Sequence, residues 1–187
     1  MSPVTLLEET LVKAARLLKA HRIPYMVIGG IANIFWGTPR TTLDVDIKMH
    51  VGQEKLGELL PVVKKAFHFR TKDPEDFVAK TKVLPLVDTN GVRLDLILAE
   101  LPYEIRAIKR AKGKKVGAVR VRICTPEDLV IHKIISDRLQ DREDAQNIIK
   151  RWKGKLNRRY VDPKVRELSE VFAKPEIYKF YLHCFKK

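Results

Sequence analysis

The sequence predicts an α/β (α+β) fold, in which a mixed sheet is flanked by helices and followed by a helical C-terminal region. Amphipathic helical patterns alternate with short β-rich runs in the N-terminal part of the chain. Asn90-Gly91 lies between two such runs and is a strong hairpin signal. After Thr125 the helical patterns follow one another without a further strand. We therefore expect a core over residues 1–124 and a helical region packed on it over 125–187.

The first helix is predicted over about residues 5–20, where Thr5 and Glu8 have capping-box spacing. Apolar residues then recur at helical intervals, and short apolar runs alternate with amphipathic stretches as in a layered fold. The elements predicted next are a strand at 25–28, helical turns at 31–36, a strand at 43–49 and a helix at 53–67.

The middle of the core is predicted to contain a β-hairpin. Its arms, 83–87 and 92–98, flank a turn in which Asp88 is predicted to be a solvated residue. The second arm can then lie beside the strand at 43–49. The remaining predictions are an irregular stretch at 72–80, a basic helix at 101–111, a charged loop at 112–115, a strand at 116–124, and helices at 126–139, 141–152, 163–173 and 175–185.

Composition favours a cytoplasmic protein with a polyanionic partner. The net charge is +14, from 37 basic and 23 acidic residues, although high charge would also suit a heat-loving source. No apolar run approaches the ~20 residues needed to cross a bilayer, so no membrane association is expected. The N-terminus lacks the layout of a signal peptide. Cys124 and Cys184 are far apart in the chain and do not have the spacing of metal ligands, so we expect them to be reduced thiols.

Asp44 and Asp46 are candidate metal ligands, because residues two apart on a strand point to the same face. Carboxylates held that close repel each other, and a divalent cation is the usual compensation. Magnesium is typically held by one or two carboxylates together with substrate phosphates. Asp95 lies mid-strand among aliphatic residues, where an ionised carboxylate is costly unless it is paired or bound to a metal. A salt bridge to Arg93 or to another base is the structural alternative for Asp95.

Gly29-Gly30 ends the first strand and precedes helical turns. Glycines let the backbone turn sharply and bring its N–H groups close to a ligand. The N-terminus of a helix also favours anions, so this segment is a candidate phosphate site. A hairpin-like turn followed by two solvated acids is the alternative reading of the whole segment.

The order of these residues resembles the glycine–serine and D-x-D signature of the polymerase-β-type nucleotidyltransferases. Arg40 and Thr42 before the acids make it most similar to the abortive-infection type IV toxin (AbiEii-like) nucleotidyltransferases. The chain departs from the superfamily at Gly30, where a serine is usual, and at Asn33, where many members have arginine. The resemblance implies transfer of a nucleoside monophosphate from an NTP such as ATP to an acceptor hydroxyl.

The resemblance also implies roles for individual residues. Asp44, Asp46 and Asp95 would be the catalytic residues and would hold two Mg²⁺ ions, with Mn²⁺ as the alternative metal. Gly29 and Gly30 would cradle the β and γ phosphates. The other implied nucleotide contacts are Arg40, Thr42 and Lys133.

Lys133 belongs to a Glu127-Asp128-Leu129-x3-Lys133 pattern that looks like the fourth motif of the toxin group. Physically, a lysine facing the metal site could neutralise phosphate charge. Alternatively, its stem snorkels along the helix surface. Asp144, on the next predicted helix, either orients Lys133 or favours the N-terminus of its own helix.

The acceptor implied by the resemblance is RNA, most plausibly a tRNA end, with a protein hydroxyl as the competitor. A cognate antitoxin is a further implied partner. The rival from another class is a non-catalytic basic domain that binds RNA or a partner protein. The basic residues that no helix-face pattern requires are candidates for phosphate contacts: Lys112, Lys114, Lys115, Arg120, Arg122, Arg158 and Arg159.

Overall fold

The computed structural model describes residues 3–186. Within these residues the chain forms two compact units, one made of 3–31 together with 41–124, the other of 32–40 together with 125–186. The first unit contains a mixed sheet with helices against it, and the second is helical. The predicted fold class is thereby confirmed. None of the helices in the described range is long and apolar enough to cross a membrane.

The elements are numbered here in chain order. The strands are β1 Tyr25–Val27, β2 Asp44–Met49, β3 His68–Phe69, β4 Val83–Val87, β5 Arg93–Leu98, β6 Lys112–Val116 and β7 Val119–Ile123. The helices are α1 Pro3–Ala20, α2 Gly29–Trp36, α3 Gln53–Ala66, α4 Pro74–Thr81, α5 Pro102–Arg110, α6 Pro126–Ile134, α7 Leu139–Arg151, α8 Arg158–Val171 and α9 Pro175–Cys184.

In the described part of the chain the seven strands form one sheet in the order β3-β4-β5-β2-β1-β7-β6. β2 pairs in parallel with β5, and β1 with β7, while the other neighbours are antiparallel. Val45, Ile47 and Leu94 are fully buried on one face of the central strands. The alternate residues of β2 and β5 are more exposed, and this is the face that carries the acids.

The predicted hairpin is confirmed, since β4 and β5 pair antiparallel around a turn in which Gly91 has a φ of +85°. The prediction that Asp88 is a solvated turn residue is wrong. Its side chain is 5% exposed, and it accepts hydrogen bonds from Thr10 at 2.8 Å and from Lys13 at 2.6 Å. These partners lie on α1, so the turn is anchored to the first helix.

Two further local predictions are wrong. The stretch at 72–80 contains α4, which begins with Asp73 as its cap, since the Asp73 side chain accepts from the N–H of Asp76 at 3.0 Å. The charged loop at 112–115 is strand β6, joined to β7 by a two-residue turn at Gly117. Lys112, Lys114 and Lys115 gave no β signal of their own, and β6 forms because β7 offers it a ladder of backbone hydrogen bonds.

In the second unit, α6 ends earlier than predicted, at Ile134, α7 is shifted toward the N-terminus, to Leu139–Arg151, and α8 begins earlier, at Arg158. Segment 32–40 packs with these helices. The Trp152 Nε1–H donates to the Trp36 carbonyl at 2.9 Å, and the two indoles make an edge-on contact with their ring centroids 5.6 Å apart.

Candidate active site

Three acids lie side by side on one face of the sheet. Asp44 and Asp46 are on β2, and Asp95 is on β5, with Asp46 directly opposite Asp95 in the parallel register. Paired residues on adjacent strands point to the same face, so the register puts the Asp46 and Asp95 side chains on the same face of the sheet. The prediction that the hairpin lays Asp95 beside β2 is confirmed.

Gly29 lets the backbone pass close to Asp46. Its φ is +63°, and a Cβ at this position would lie 2.0 Å from Asp46 Oδ2. The Ile28 N–H donates to the Asp46 carbonyl at 3.0 Å and fixes the two segments side by side. Glycine is therefore required at position 29, because the φ is positive and because a Cβ would collide with the Asp46 carboxylate. The start of α2 lies against Asp46. The first N–H groups of a helix have no partner within it and are suited to bind phosphate oxygens.

Gly30 is packed against Thr42 in the same way. A Cβ at Gly30 would lie 2.4 Å from Thr42 Oγ1 and 2.7 Å from Thr42 Cβ. A serine at this position would therefore collide with the threonine. The Thr42 hydroxyl donates to the Asp44 carbonyl at 3.3 Å and lies next to the first turn of α2.

Gly30→Ala is expected to destabilise the protein by about 1–3 kcal/mol, the usual cost of overpacking. Adding Thr42→Gly should recover most of that loss, because Thr42 Cβ and Oγ1 are the atoms met by the new methyl group. Gly57→Ala in α3 is the control, since its Cβ meets nothing within 4 Å. Urea unfolding of the three variants and of the wild type checks this, and equal losses of stability in Gly30→Ala and Gly30→Ala/Thr42→Gly would contradict it.

Asp95 is partly buried, at 32% exposure, and Arg70 Nη1 lies 3.4 Å from its Oδ1. The salt-bridge alternative is thus observed, with Arg70 as the base. Burial raises the pKa of the Asp95 carboxyl, with Asp44 adding to the rise, and Arg70 and Arg93 offset only part of it. A carboxyl with this bias gains from a nearby cation, as a metal-ligand role requires.

Asp95→Asn and Asp88→Asn are expected to have opposite effects on stability. A raised folded pKa means that Asp95 weakens the fold above its ordinary pKa, so asparagine should raise the Tm at neutral pH. Burial pushes the pKa of Asp88 up, but hydrogen bonds from Lys13, Thr10 and Thr89 lower it overall. Its contribution is present above the unfolded pKa and is lost as pH falls through the folded value.

Asp88→Asn should therefore cost about 1–3 kcal/mol at neutral pH, since a buried charged hydrogen bond is weakened. Thermal melts at neutral pH and near pH 3 check both variants. The Asp88 difference should shrink in acid, and a lower Tm for Asp95→Asn at neutral pH would contradict the assignment. Asp95→Asn should also abolish transfer, whereas Asp88→Asn should leave it intact.

Lys133 is buried in the second unit, at 4% exposure. Its ammonium group forms a short ion pair with Asp141, and Asp144 Oδ2 lies 2.9 Å away. Burial raises the pKa of Asp141, but hydrogen bonds from Arg138, Lys133 and Ser136 lower it overall. Of the two roles considered for Asp144, the structure shows the contact with Lys133. Lys133 does not snorkel along the helix surface, because the whole residue is buried.

Asp144 also binds Arg40, whose Nη2 lies 3.1 Å from Asp144 Oδ2. Asn33 Nδ2 donates to Asp144 Oδ1 at 3.1 Å. Two of the residues implied to contact nucleotide, Arg40 and Lys133, are thus held by one carboxylate. Sequence reasoning missed Asn33 as a member of this cluster. The only available signal was a polar residue within the apolar run 31–36.

Within residues 3–186, no three His, Cys, Asp or Glu side chains converge closely enough to hold a metal ion by themselves. The three acids nevertheless suit a hard divalent cation, since they supply only oxygen atoms and burial disfavours the charge of Asp95. A magnesium ion bound here would complete its coordination with substrate phosphates and water, as is usual for this metal.

A model for the family "nucleotidyl transferase of unknown function (DUF2204)" matches residues 7–179. The chain belongs to this family. The match confirms the predicted enzyme class, while the closer likeness to AbiEii-like toxins stays a prediction. No curated protein sequence matches this nucleotidyl transferase.

Solved structures show where the fold of this nucleotidyl transferase recurs. An antigenic nucleotidyltransferase-like protein from Paracoccidioides brasiliensis is 18% identical, with a TM-score of 0.56 over 94% of this chain and 91% of that one. The antibiotic-resistance factor ANT(2'')-Ia is 14% identical, with a TM-score of 0.59 over 96% and 97%. The lincosamide antibiotic adenylyltransferase LnuA is 13% identical, with a TM-score of 0.50 over 75% and 94%. These similarities establish the nucleotidyltransferase fold.

Proposed function

We propose that this nucleotidyl transferase moves a nucleoside monophosphate from an NTP to a hydroxyl group of RNA, most plausibly at a tRNA end. The observation that carries the proposal is the register that pairs Asp46 with Asp95, next to two glycines that admit no side chain. Family membership supports nucleotidyl transfer in general. The RNA acceptor rests on the +14 charge and on the resemblance to the toxin group.

In this proposal Asp44, Asp46 and Asp95 would hold Mg²⁺, which would supply charge neutralisation at the phosphates and a lowered pKa at the attacking hydroxyl. Gly29 and Gly30 present backbone N–H groups to the β and γ phosphates. The acceptor oxygen forms a bond to the α-phosphorus while the bond to the β-phosphate oxygen breaks. Pyrophosphate leaves, and Asp95 is proposed to help remove the hydroxyl proton.

Thr42 donates its hydroxyl to a phosphate oxygen in this scheme, in place of the serine that Gly30 excludes. Arg40 and Lys133 are proposed to offset residual triphosphate charge. Asp144 forms an ion pair with both side chains. Either this carboxylate orients Arg40 and Lys133 toward the nucleotide, or the two cations leave Asp144 for the triphosphate when the nucleotide binds. A toxin role with a cognate antitoxin belongs to the proposal through the resemblance alone.

The test is incubation of the protein with each labelled NTP, Mg²⁺ and total RNA, with a mixture of proteins as the second acceptor. Label in RNA, lost in Asp46→Asn and absent with EDTA, is the expected result. Label in protein instead would assign the competing acceptor. Absence of transfer to either, together with no thermal shift on adding Mg²⁺ and NTP, would favour the non-catalytic binding domain, since ligand at 100 times its Kd should add about 2.7 kcal/mol.

A further inference from the structure

A groove in the first unit lies at the opposite end of β1 from Gly29. One part is a cavity of about 370 Å³ formed by the end of α1, the start of β1 and strands β6 and β7. A second cavity of about 650 Å³ continues it toward the end of β2 and the start of α3. The two cavities share Arg22, Ile23 and Pro24 in their linings and therefore lie next to each other, and together they are called the groove here.

The groove is strongly cationic. No carboxylate lines either cavity, and two histidines, His21 and His50, add to the polar lining. In the part of the chain that the structure describes, no carboxylate lies within salt-bridge distance of the lining lysines and arginines. The five cations are Lys19, Arg22, Lys55, Arg120 and Arg122.

The backbone fixes the side chain of one of these cations, Arg122, and has an unusual conformation at another, Arg22. Arg122 donates from Nη2 to the carbonyls of Ile108 at 2.9 Å and Lys109 at 3.2 Å, so its side chain is fixed while its charge is not neutralised. Arg22 has a φ of +54°, just after the end of α1, where glycine is the usual residue. An arginine there strains the backbone, because its Cβ crowds the carbonyl oxygen that follows.

We infer that this groove binds the phosphate backbone of RNA and so holds the part of the acceptor RNA that lies away from the reacting hydroxyl. The inference rests on the proposed function, and it adds where the acceptor is held. Cations without a carboxylate within salt-bridge distance, along two cavities that no acid lines, form a surface suited to a polyanionic strand. Glu58 lines a smaller neighbouring cavity of about 60 Å³, next to Lys55. Tyr25 lines the groove and lies four residues before Gly29, roughly 13 Å at ~3.3 Å per residue, so the groove is separate from the three acids.

The first test reverses two groove charges, in Lys19→Glu/Arg120→Glu. The matched control is Lys64→Glu/Lys65→Glu, whose exposed lysines lie in the last turn of α3, next to the sheet edge formed by β3. The probe is a labelled oligouridylate of about 20 nucleotides, longer than the ~4 to 16 nucleotides of typical single-strand sites. Anisotropy titrations between about 50 and 200 mM salt give the slope of log Kd against log salt.

The groove variant should flatten the slope by about 1.4 or more, since each lost phosphate contact removes ~0.7. The control should flatten it much less. Equal effects in the two variants would show that overall charge is responsible and would overturn the inference, as would an unchanged slope in the groove variant.

The second test separates charge from folding. Arg22→Gly removes one groove cation and also relieves a positive φ, so it should be at least as stable as the wild type while flattening the slope by about 0.7. Lys82→Gly is the control, because Lys82 ends α4 with a φ of +62° and its charge is paired with Glu100 at 3.1 Å. Lys82→Gly should leave the slope unchanged. If Lys82→Gly weakened RNA binding as much as Arg22→Gly does, the assignment of Arg22 as a phosphate contact of the groove would be contradicted.

Transfer assays distinguish this inference from the proposed function. If RNA is labelled, the groove variants should raise the KM for RNA with kcat and the NTP KM unchanged. An unchanged RNA KM would overturn the groove and leave the activity standing. If no RNA is labelled by the wild type, the proposed function fails, and the binding slopes still decide the groove.

Discussion

Replacing Asp46 with asparagine is expected to lower nucleotidyl transfer by about 1000-fold or more, because metal coordination supplies several kcal/mol of transition-state stabilisation. Asp44→Asn should have an effect of the same order. Both residues lie on the exposed face of β2, and Asp46 lies directly opposite Asp95. Asparagine keeps the shape of the side chain but offers a cation only a neutral oxygen.

The same substitution should leave the metal-free protein at least as stable as the wild type. Like charges opposite each other on adjacent strands destabilise a sheet, and Asp46→Asn removes that repulsion from Asp95. A loss of activity without a loss of stability is therefore the signature of a ligand-binding acid. Replacing a structural acid such as Asp88 should instead lower the stability of the protein.

The measurement is single-turnover transfer at saturating NTP, with thermal melts on the same preparations. Asp76→Asn is the control, since Asp76 is an exposed acid on α4 that pairs with Lys80. It should retain full activity. Transfer by Asp46→Asn within tenfold of the wild type would remove β2 from the proposed metal site.

Replacing Lys133 with methionine is expected to cost about 3–5 kcal/mol of stability, the usual penalty for leaving buried charges without their partner. Asp141 and Asp144 are 3% and 2% exposed, so the loss of the ammonium group would leave two buried carboxylates close together. Part of this negative charge is offset by two arginines, Arg138 and Arg40. Hydrogen bonds from Ser136 and Asn33 also stabilise the carboxylates.

Tryptophan fluorescence during urea unfolding reports this loss directly, because the two tryptophans of the chain, Trp36 and Trp152, both belong to the second unit. Lys150→Met, at an exposed site on α7, is the control and should change stability by no more than about 0.5 kcal/mol. Unfolding of Lys133→Met at the wild-type urea concentration would contradict the buried ion-pair assignment.

Kinetics at a temperature where Lys133→Met is still folded test the proposed nucleotide role separately. A contact with the triphosphate predicts a 10- to 1000-fold loss in NTP use, about 1.4–4 kcal/mol. Lys133→Arg should recover only part of it, because a planar fork does not replace a point charge. Unchanged kinetics in the folded methionine variant would leave Lys133 with the structural role alone.

The sequence by itself determined the arrangement of the acids. Gly29, Asp44 and Asp46 lie close together in the chain, and strand periodicity alone places the two acids on one face. Asn90-Gly91 fixed the hairpin that brings Asp95 beside them, because that pair has the backbone freedom that a tight turn needs. These inferences depend on a few neighbouring residues, which local physics governs.

Only the tertiary structure decided which other charged residues are buried. Asp88 has the composition of a solvated turn, yet it is paired with Lys13, 75 positions away. Asp144 binds Arg40 across 104 positions, and β6 exists because β7 pairs with it. Periodicity and turn chemistry report only the nearest neighbours of a residue. Whether a charge is buried, and which partner satisfies it, depends on contacts made when distant segments pack.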